Sequence, residues 1–302
     1  MSRHTWIPPL PSGACLGLVA PAGPTPGELL APVQALLHAQ GWQVRVYPGC
    51  HGPAHLDHLA ADDGQRLADL HAAWADPTVH AVLALRGGYG CDRLLDRIDP
   101  ALMRAHAKPL IGYSDLTALH LLRDRWGLPG LHAPMPGSDG LKAPEDWARL
   151  SEALRQGWHA GDLLVPSVAP HPLNRPGVAR GRLIGGNLTV LTSLVGTPFA
   201  ARTEGAILFL EDVGEPPYRI DRLLAQLRLS GALQGVAGFL LGGFTEADNA
   251  DAVLADYLHP LGRPVLAGWP AGHTVPNHAL PLGVPVEMDV AAGTLRLLDP
   301  LP

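Results

Sequence analysis

The feature that most constrains this fold is an alternation repeated through the first half of the chain. Short apolar runs end in turn residues, and each turn leads into a stretch with helical spacing. Residues 14–20 (ACLGLVA) are apolar and end in a loop holding Pro21, Gly23, Pro24 and Pro26. ELLAPVQALLHAQG then has helical spacing and closes on Gly41. WQVRVYP alternates as a strand, DDGQRLADLHAAWAD is an amphipathic helix, and VHAVLALRGGYG is a buried strand running into a glycine-rich turn. CDRLLDRI reads as a short helix, KPLIGYS as a strand and DLTALHLLRDRWG as a helix. This β–α order predicts an α/β fold: a doubly wound parallel sheet with helices on both faces.

The pattern changes after residue 135. PMPGSDGLKAPEDW reads as a loop, and EDWARLSEALRQG as one more helix. Residues 161–180 are proline-rich with little periodicity, as in a linker. From residue 181 the strand content rises, through RLIGGNLTVLTSLVG, GAILFLEDV, GVAGFLLGGF and a terminal pair around VPVEMDV and TLRLLDP. The expected division is an N-terminal domain over 1–160, a linker over 161–180 and a smaller, β-rich α/β domain with a mixed sheet over 181–302.

Composition narrows the function. Of 302 residues, 47% are hydrophobic and 17% charged, as in a globular protein. The net charge is -6 and no dense Lys/Arg cluster occurs, which argues against nucleic acid or anionic lipid as a partner. Pro8, Pro9 and Pro11 interrupt any apolar leader, and no run of about 18 apolar residues predicts a membrane span. Three cysteines at wide spacing, Cys15, Cys50 and Cys91, suggest a reducing compartment and neither a disulfide framework nor a zinc knuckle. The expectation is a cytoplasmic protein.

In open α/β sheets, ligands bind beyond the C-terminal strand ends. Two such ends stand out. In LALRGGYG, Gly87, Gly88 and Gly90 permit positive φ and let backbone N–H groups face a ligand, or simply make a tight turn. In LIGYSDLTALHLL, an apolar strand ends at Ser114 and a helix follows. That placement is half of a nucleophile elbow, with the Asp115 N–H as an oxyanion donor; a helix cap is the other reading. The sequence departs from GxSxG, with Leu at 116.

A serine nucleophile needs a base and usually an orienting carboxylate. Among fifteen histidines, His273 lies in a Gly/Pro-rich loop (GWPAGHTVPNHALPLG), with His278 close by; His120 falls inside an apolar helix. Glu211 ends the buried run AILFLE, where a carboxylate is costly without a partner. That partner is a histidine or a structural arginine such as Arg219 or Arg222, and Asp212 and Glu215 are alternative acids. His51, His55 and His58, with Asp57 and Asp62, have ligand-like spacing, but Pro53 breaks their alignment and a solvated loop is the better reading.

Taken in order, GLVAPAGP, LRGGYGCDRLLDRID, KPLIGYSDLTALHL, GLHAPMPGS, GRLIGGNLTVLTSLVGTPF, LFLEDVGEPPYRIDRLLAQLRLSG and a late GHT cover most of the chain. This ordered set resembles the LD-carboxypeptidases, serine peptidases that include murein tetrapeptide carboxypeptidase and the microcin C immunity protein. The resemblance implies a Ser–His–Glu triad: Ser114 in GYSD as nucleophile, Glu211 in LFLED as orienting acid, His273 in GHT as base. It implies backbone N–H groups of Gly88 and Asp115 as oxyanion donors, and Asn187 in GGNL as a candidate substrate contact whose other reading is a helix cap. It also implies two domains with the site between them, a homodimer, a small peptide substrate, and no metal or organic cofactor.

The family divides by substrate. One branch removes the terminal D-alanine of murein tetrapeptides by cutting an L,D bond. Another cleaves peptide-nucleotide or aminoacyl-nucleotide antibiotics, which calls for an aromatic platform; Trp147, Trp158, Tyr218 and Trp269 are the candidates. The murein branch is favoured, because the 137–150 segment holds no aromatic besides Trp147. A non-catalytic protein holding an anionic ligand in the glycine turns is the alternative from another class. A glutamine-amidotransferase-like enzyme would need a cysteine at an elbow, and neither Cys91 nor Cys15 occupies one.

Overall fold

The computed structural model describes residues 3–137, 143–165, 167–247 and 249–300. It divides into two compact units, Ile7–Gly157 on one side and Met1–Trp6 with Trp158–Pro302 on the other. Residues 138–142, part of the expected loop, lie outside the described residues.

The chain begins with a short strand β1 (Thr5–Ile7). The first unit then alternates β2 (Cys15–Val19), α1 (Leu30–Ala39), β3 (Gln43–Val46), α2 (Asp63–Ala75), β4 (Val79–Ala84), α3 (Pro100–Ala105), β5 (Leu110–Ile111), α4 (Thr117–Asp124), β6 (Gly130–His132) and α5 (Pro144–Gln156). Its strands lie in the order β6-β5-β4-β2-β3, all parallel. Every residue of β2 is buried, which is why that strand is apolar along its whole length instead of alternating. From β2 the chain moves outward to β3 and then returns to place β4 on the opposite side of β2. The order reverses there, so the loops after β2 and β4 flank a topological switch point, where such sheets bind ligands.

Two local expectations need correction. CDRLLDRI makes only a 3₁₀ turn over Asp92–Leu94 instead of a helix. The helix after KPLIGYS begins as a 3₁₀ turn over Ser114–Leu116, and α4 starts at Thr117. The structure also adds α3, which the sequence marks with an N-cap and a proline at its first position. Asp99 accepts hydrogen bonds from the N–H groups of Ala101 and Leu102, at 2.8 and 3.3 Å.

In the second unit, β7 (Trp158–His159) pairs with β1. The remaining elements are β8 (Val178–Asn187), α6 (Leu188–Ser193), β9 (Ile207–Val213), α7 (Pro217–Leu229), β10 (Gly238–Thr245), α8 (Ala250–Leu258), β11 (Val265–Leu266), β12 (Leu280–Leu282), β13 (Pro285–Asp289) and β14 (Thr294–Leu297). The sheet order β11-β10-β9-β8-β13-β14 is parallel from β11 to β8 and antiparallel from β8 to β14, the mixed sheet expected from the sequence. The segment read as a linker packs within this unit: Leu163 bridges to Arg296 and Arg175 to Val265. Parallel pairing of β8 with β9 sets Asn187 opposite Glu211 at the strand ends. Among the described residues, no helix is long and apolar enough to cross a membrane.

Candidate active site

In the first unit, Ser114 has φ +62, the left-handed region that β-carbon crowding makes unfavourable for residues other than glycine. Holding a serine there costs on the order of 1–3 kcal/mol and marks a position the surrounding structure enforces. Enforcement begins two residues upstream. Gly112 donates its N–H to the Leu131 carbonyl at 3.0 Å, and its own carbonyl receives His120 Nε2–H at 2.8 Å. His120 is buried, and burial pushes its pKa down to about 3, so a neutral imidazole holds the elbow. The ring leaves no room at Gly130, whose β-carbon would stand 2.4 Å from His120 Nδ1.

The glycine turn lies against the serine. A β-carbon on Gly87 would be 2.9 Å from Ser114 Cβ and 3.0 Å from Oγ. The Gly87 carbonyl accepts from Gly23 N–H at 3.1 Å, joining the loops on either side of the switch point. Gly88 has φ +117, which strains any side chain, and a β-carbon there would stand 3.1 Å from Gly23 Cα, a tight approach. Asp115, next to the nucleophile, is buried and accepts from Cys91 N–H at 2.8 Å; burial raises its pKa. Cys91 is fully buried and burial pushes its thiol up, so it has no nucleophilic character at neutral pH. Cys15 and Cys50 are also buried and free.

In the second unit, Glu211, two residues before the end of β9, is wholly buried and meets His273. Glu211 Oε2 accepts from His273 Nδ1–H at 2.7 Å and from the His273 backbone N–H at 3.0 Å. A carboxylate accepts, so the ring proton sits on Nδ1 and Nε2 is left as the basic nitrogen. The loop is built to hold this pair. Gly272 has φ +98, and a β-carbon there would lie 2.6 Å from Glu211 Oε2. Its N–H donates to Asn277 Oδ1 at 3.0 Å, and Thr245 Oγ1 donates to the His273 carbonyl at 2.8 Å. Asn277 and Thr245 carry no motif that marks them in the sequence.

The competing acids are engaged elsewhere. Asp212 accepts from Asn187 Nδ2, from Val213 N–H and from both the N–H and hydroxyl of Thr189; burial raises its pKa. Glu215 faces Arg219 at 3.5 Å, and Arg222 lies over the Tyr218 ring. Asn187 caps α6 through Oδ1, which accepts from Val190 N–H at 3.1 Å. His51, His55 and His58 are exposed, and no group of three or more His, Cys, Asp or Glu among the described residues could hold a metal ion. Of the aromatic candidates, Trp147, Trp158 and Trp269 are buried and Tyr218 is exposed.

Comparison with known proteins identifies the family to which the chain and its fold belong. A family model described as the LD-carboxypeptidase N-terminal domain matches residues 16–133, and one described as its C-terminal domain matches residues 180–288. The murein tetrapeptide carboxypeptidase of Pseudomonas aeruginosa is 35% identical over 294 residues, covering 93% of this chain and 94% of that protein. The crystal structure of muramoyltetrapeptide carboxypeptidase from Oxalobacter formigenes is similar with a TM-score of 0.83 and 31% identity, over 94% of this chain and 97% of that one. MccF in complex with glutamyl sulfamoyl guanosine shares the fold, with a TM-score of 0.87 at 21% identity over 98% and 99% of the two chains.

Proposed function

The chain belongs to the LD-carboxypeptidase family and is a serine-type carboxypeptidase, and from that premise we propose that it releases the terminal D-alanine of murein tetrapeptides with a Ser114–His273–Glu211 triad. The observation that carries the triad is the Glu211–His273 hydrogen bond at 2.7 Å, which leaves His273 Nε2 as base. Ser114 at its strained elbow supplies the nucleophile. His273 takes the Ser114 proton as Oγ attacks the L,D-amide carbonyl. The oxyanion rests on the N–H groups of Gly88 and Asp115, the leaving D-alanine takes its proton from His273, and water hydrolyses the acyl-enzyme. Asn187, beside Glu211 in register, is proposed to contribute to substrate binding as well as capping α6.

Relatives above 30% identity with murein-peptide names favour this substrate. The burial of Trp147, Trp158 and Trp269 withdraws three of the four aromatic platforms weighed for a nucleotide. In the same reading the enzyme works in the cytoplasm as a homodimer, without nucleic acid, metal or organic cofactor. The test is incubation with a murein L,D-tetrapeptide beside an aminoacyl sulfamoyl nucleotide. D-Alanine release that disappears in Ser114→Ala is expected. Cleavage of the nucleotide alone, or full activity of Ser114→Ala, overturns the proposal.

A further inference from the structure

One peptide group closes the glycine turn, and two buried charges of opposite sign hold it. The Gly90 carbonyl accepts from Arg66 Nη1 at 2.9 Å, and the Cys91 N–H donates to Asp115 Oδ2 at 2.8 Å. Arg66 is 1% exposed and Asp115 3%. Arg66 Nη1 also donates to the Pro21 carbonyl, Nε to the Ala61 carbonyl at 3.2 Å, and Nη2 to Asp63 at 2.6 Å. A single guanidinium therefore ties the loop after β2 to the turn after β4. Asp115 ties that same turn to the serine elbow. Gly90 is the only residue type that fits: its φ is +127, and a β-carbon would lie 2.5 Å from Leu59 Cδ2 and 2.7 Å from Arg66 Nη1.

Buried charges are costly unless paired and hydrogen-bonded, and well-packed apolar residues often stabilise as much. What apolar packing cannot do is fix the rotation of a peptide plane. We propose that Arg66 and Asp115 are positioning residues, a charged clamp on the Gly90–Cys91 peptide that sets where the Gly88 N–H stands relative to the Asp115 N–H. Asp115 then works twice: its backbone donates to the oxyanion, and its side chain aims the other donor. This rests on the serine mechanism proposed above. A misplacement of about 1 Å in such a site costs about 10²-fold in rate.

The experiment measures kcat and KM for D-alanine release from a murein tetrapeptide, with thermal melting, on the full-length enzyme. Asp115→Ala lowers kcat by about 10²-fold with KM changed less than about threefold, as expected for a donor used only in the transition state. Asp115→Asn, which keeps an acceptor oxygen for Cys91 N–H, recovers at least about tenfold of that loss. Adding Arg66→Met to Asp115→Ala costs less than the two separate losses combined, because both act on one peptide group. If Arg66→Met does not fold, the Asp115 pair still decides. Lower melting with unchanged kcat in Asp115→Ala overturns the clamp while the serine mechanism stands. Full activity of Ser114→Ala overturns both.

Discussion

Glu211 Oε2 receives two hydrogen bonds from one residue, His273, through its ring Nδ1–H and its backbone N–H. The double contact fixes the tautomer and the ring orientation together, which a single hydrogen bond to the imidazole does not. Glu211→Gln substitutes a neutral amide that supports the imidazolium poorly and tolerates the wrong tautomer. Steady-state kinetics should show kcat reduced by about 10³–10⁴-fold, the scale known for the equivalent change in a serine triad, with little change in KM.

Gly272 is the point at which the histidine loop meets that carboxylate. Gly272→Ala combines a strained φ with a β-carbon 2.6 Å from Oε2. A loss of about 1–3 kcal/mol in stability is expected. Urea denaturation measures it, and kcat should fall beyond the unfolded fraction because the Glu211–His273 pair is displaced.

Ser114 pays for its place in the left-handed region, so removing the β-carbon should relieve strain. Ser114→Gly is expected to be inactive and more stable by about 1 kcal/mol, while Ser114→Ala is inactive with stability near wild type. Chemical denaturation of the two variants side by side checks the difference.

His120 makes stability depend on pH. Its pKa is about 3 in the folded protein against 6.5 for a free imidazole, so between these values the unfolded chain holds more protons. Its contribution is complete above pH 6.5 and is lost progressively as pH falls toward 3, at up to about 1.4 kcal/mol per pH unit. His120→Gln should reduce the proton uptake on unfolding near pH 5 by about one, read from the slope of stability against pH.

The parts of this protein that were legible in the sequence are those in which one residue decides the outcome locally. An apolar run ending in Glu211 announced a carboxylate needing a partner, and a histidine between Gly272 and Thr274 announced a tight loop. The parallel sheet followed from strands such as β2 that are apolar on both faces. Of the two readings of Asn187, the structure shows the cap on α6, and the substrate contact stays a proposal beside it. Other features depend on neighbours far along the chain. CDRLLDRI has helical composition yet turns after one 3₁₀ segment. Strand β6 is three residues long, too short for any period to register. His120 looked like an ordinary interior residue of an apolar helix. Its contact with the Gly112 carbonyl is a matter of how α4 lies against β6 and the turn after β5, which no local pattern encodes.

Glu211 and Asp212 are consecutive on β9, and their side chains serve different masters: one meets His273, the other gathers Asn187 and Thr189. Strand pleating sends such neighbours to opposite faces, so sliding β9 by one residue would exchange them. A shorter carboxylate would then face the histidine loop, and α6 would lose its anchor in the same step. Strand registry thus acts as a coding frame for this half of the enzyme: activity and architecture are read from adjacent letters, and a frameshift in space would garble both.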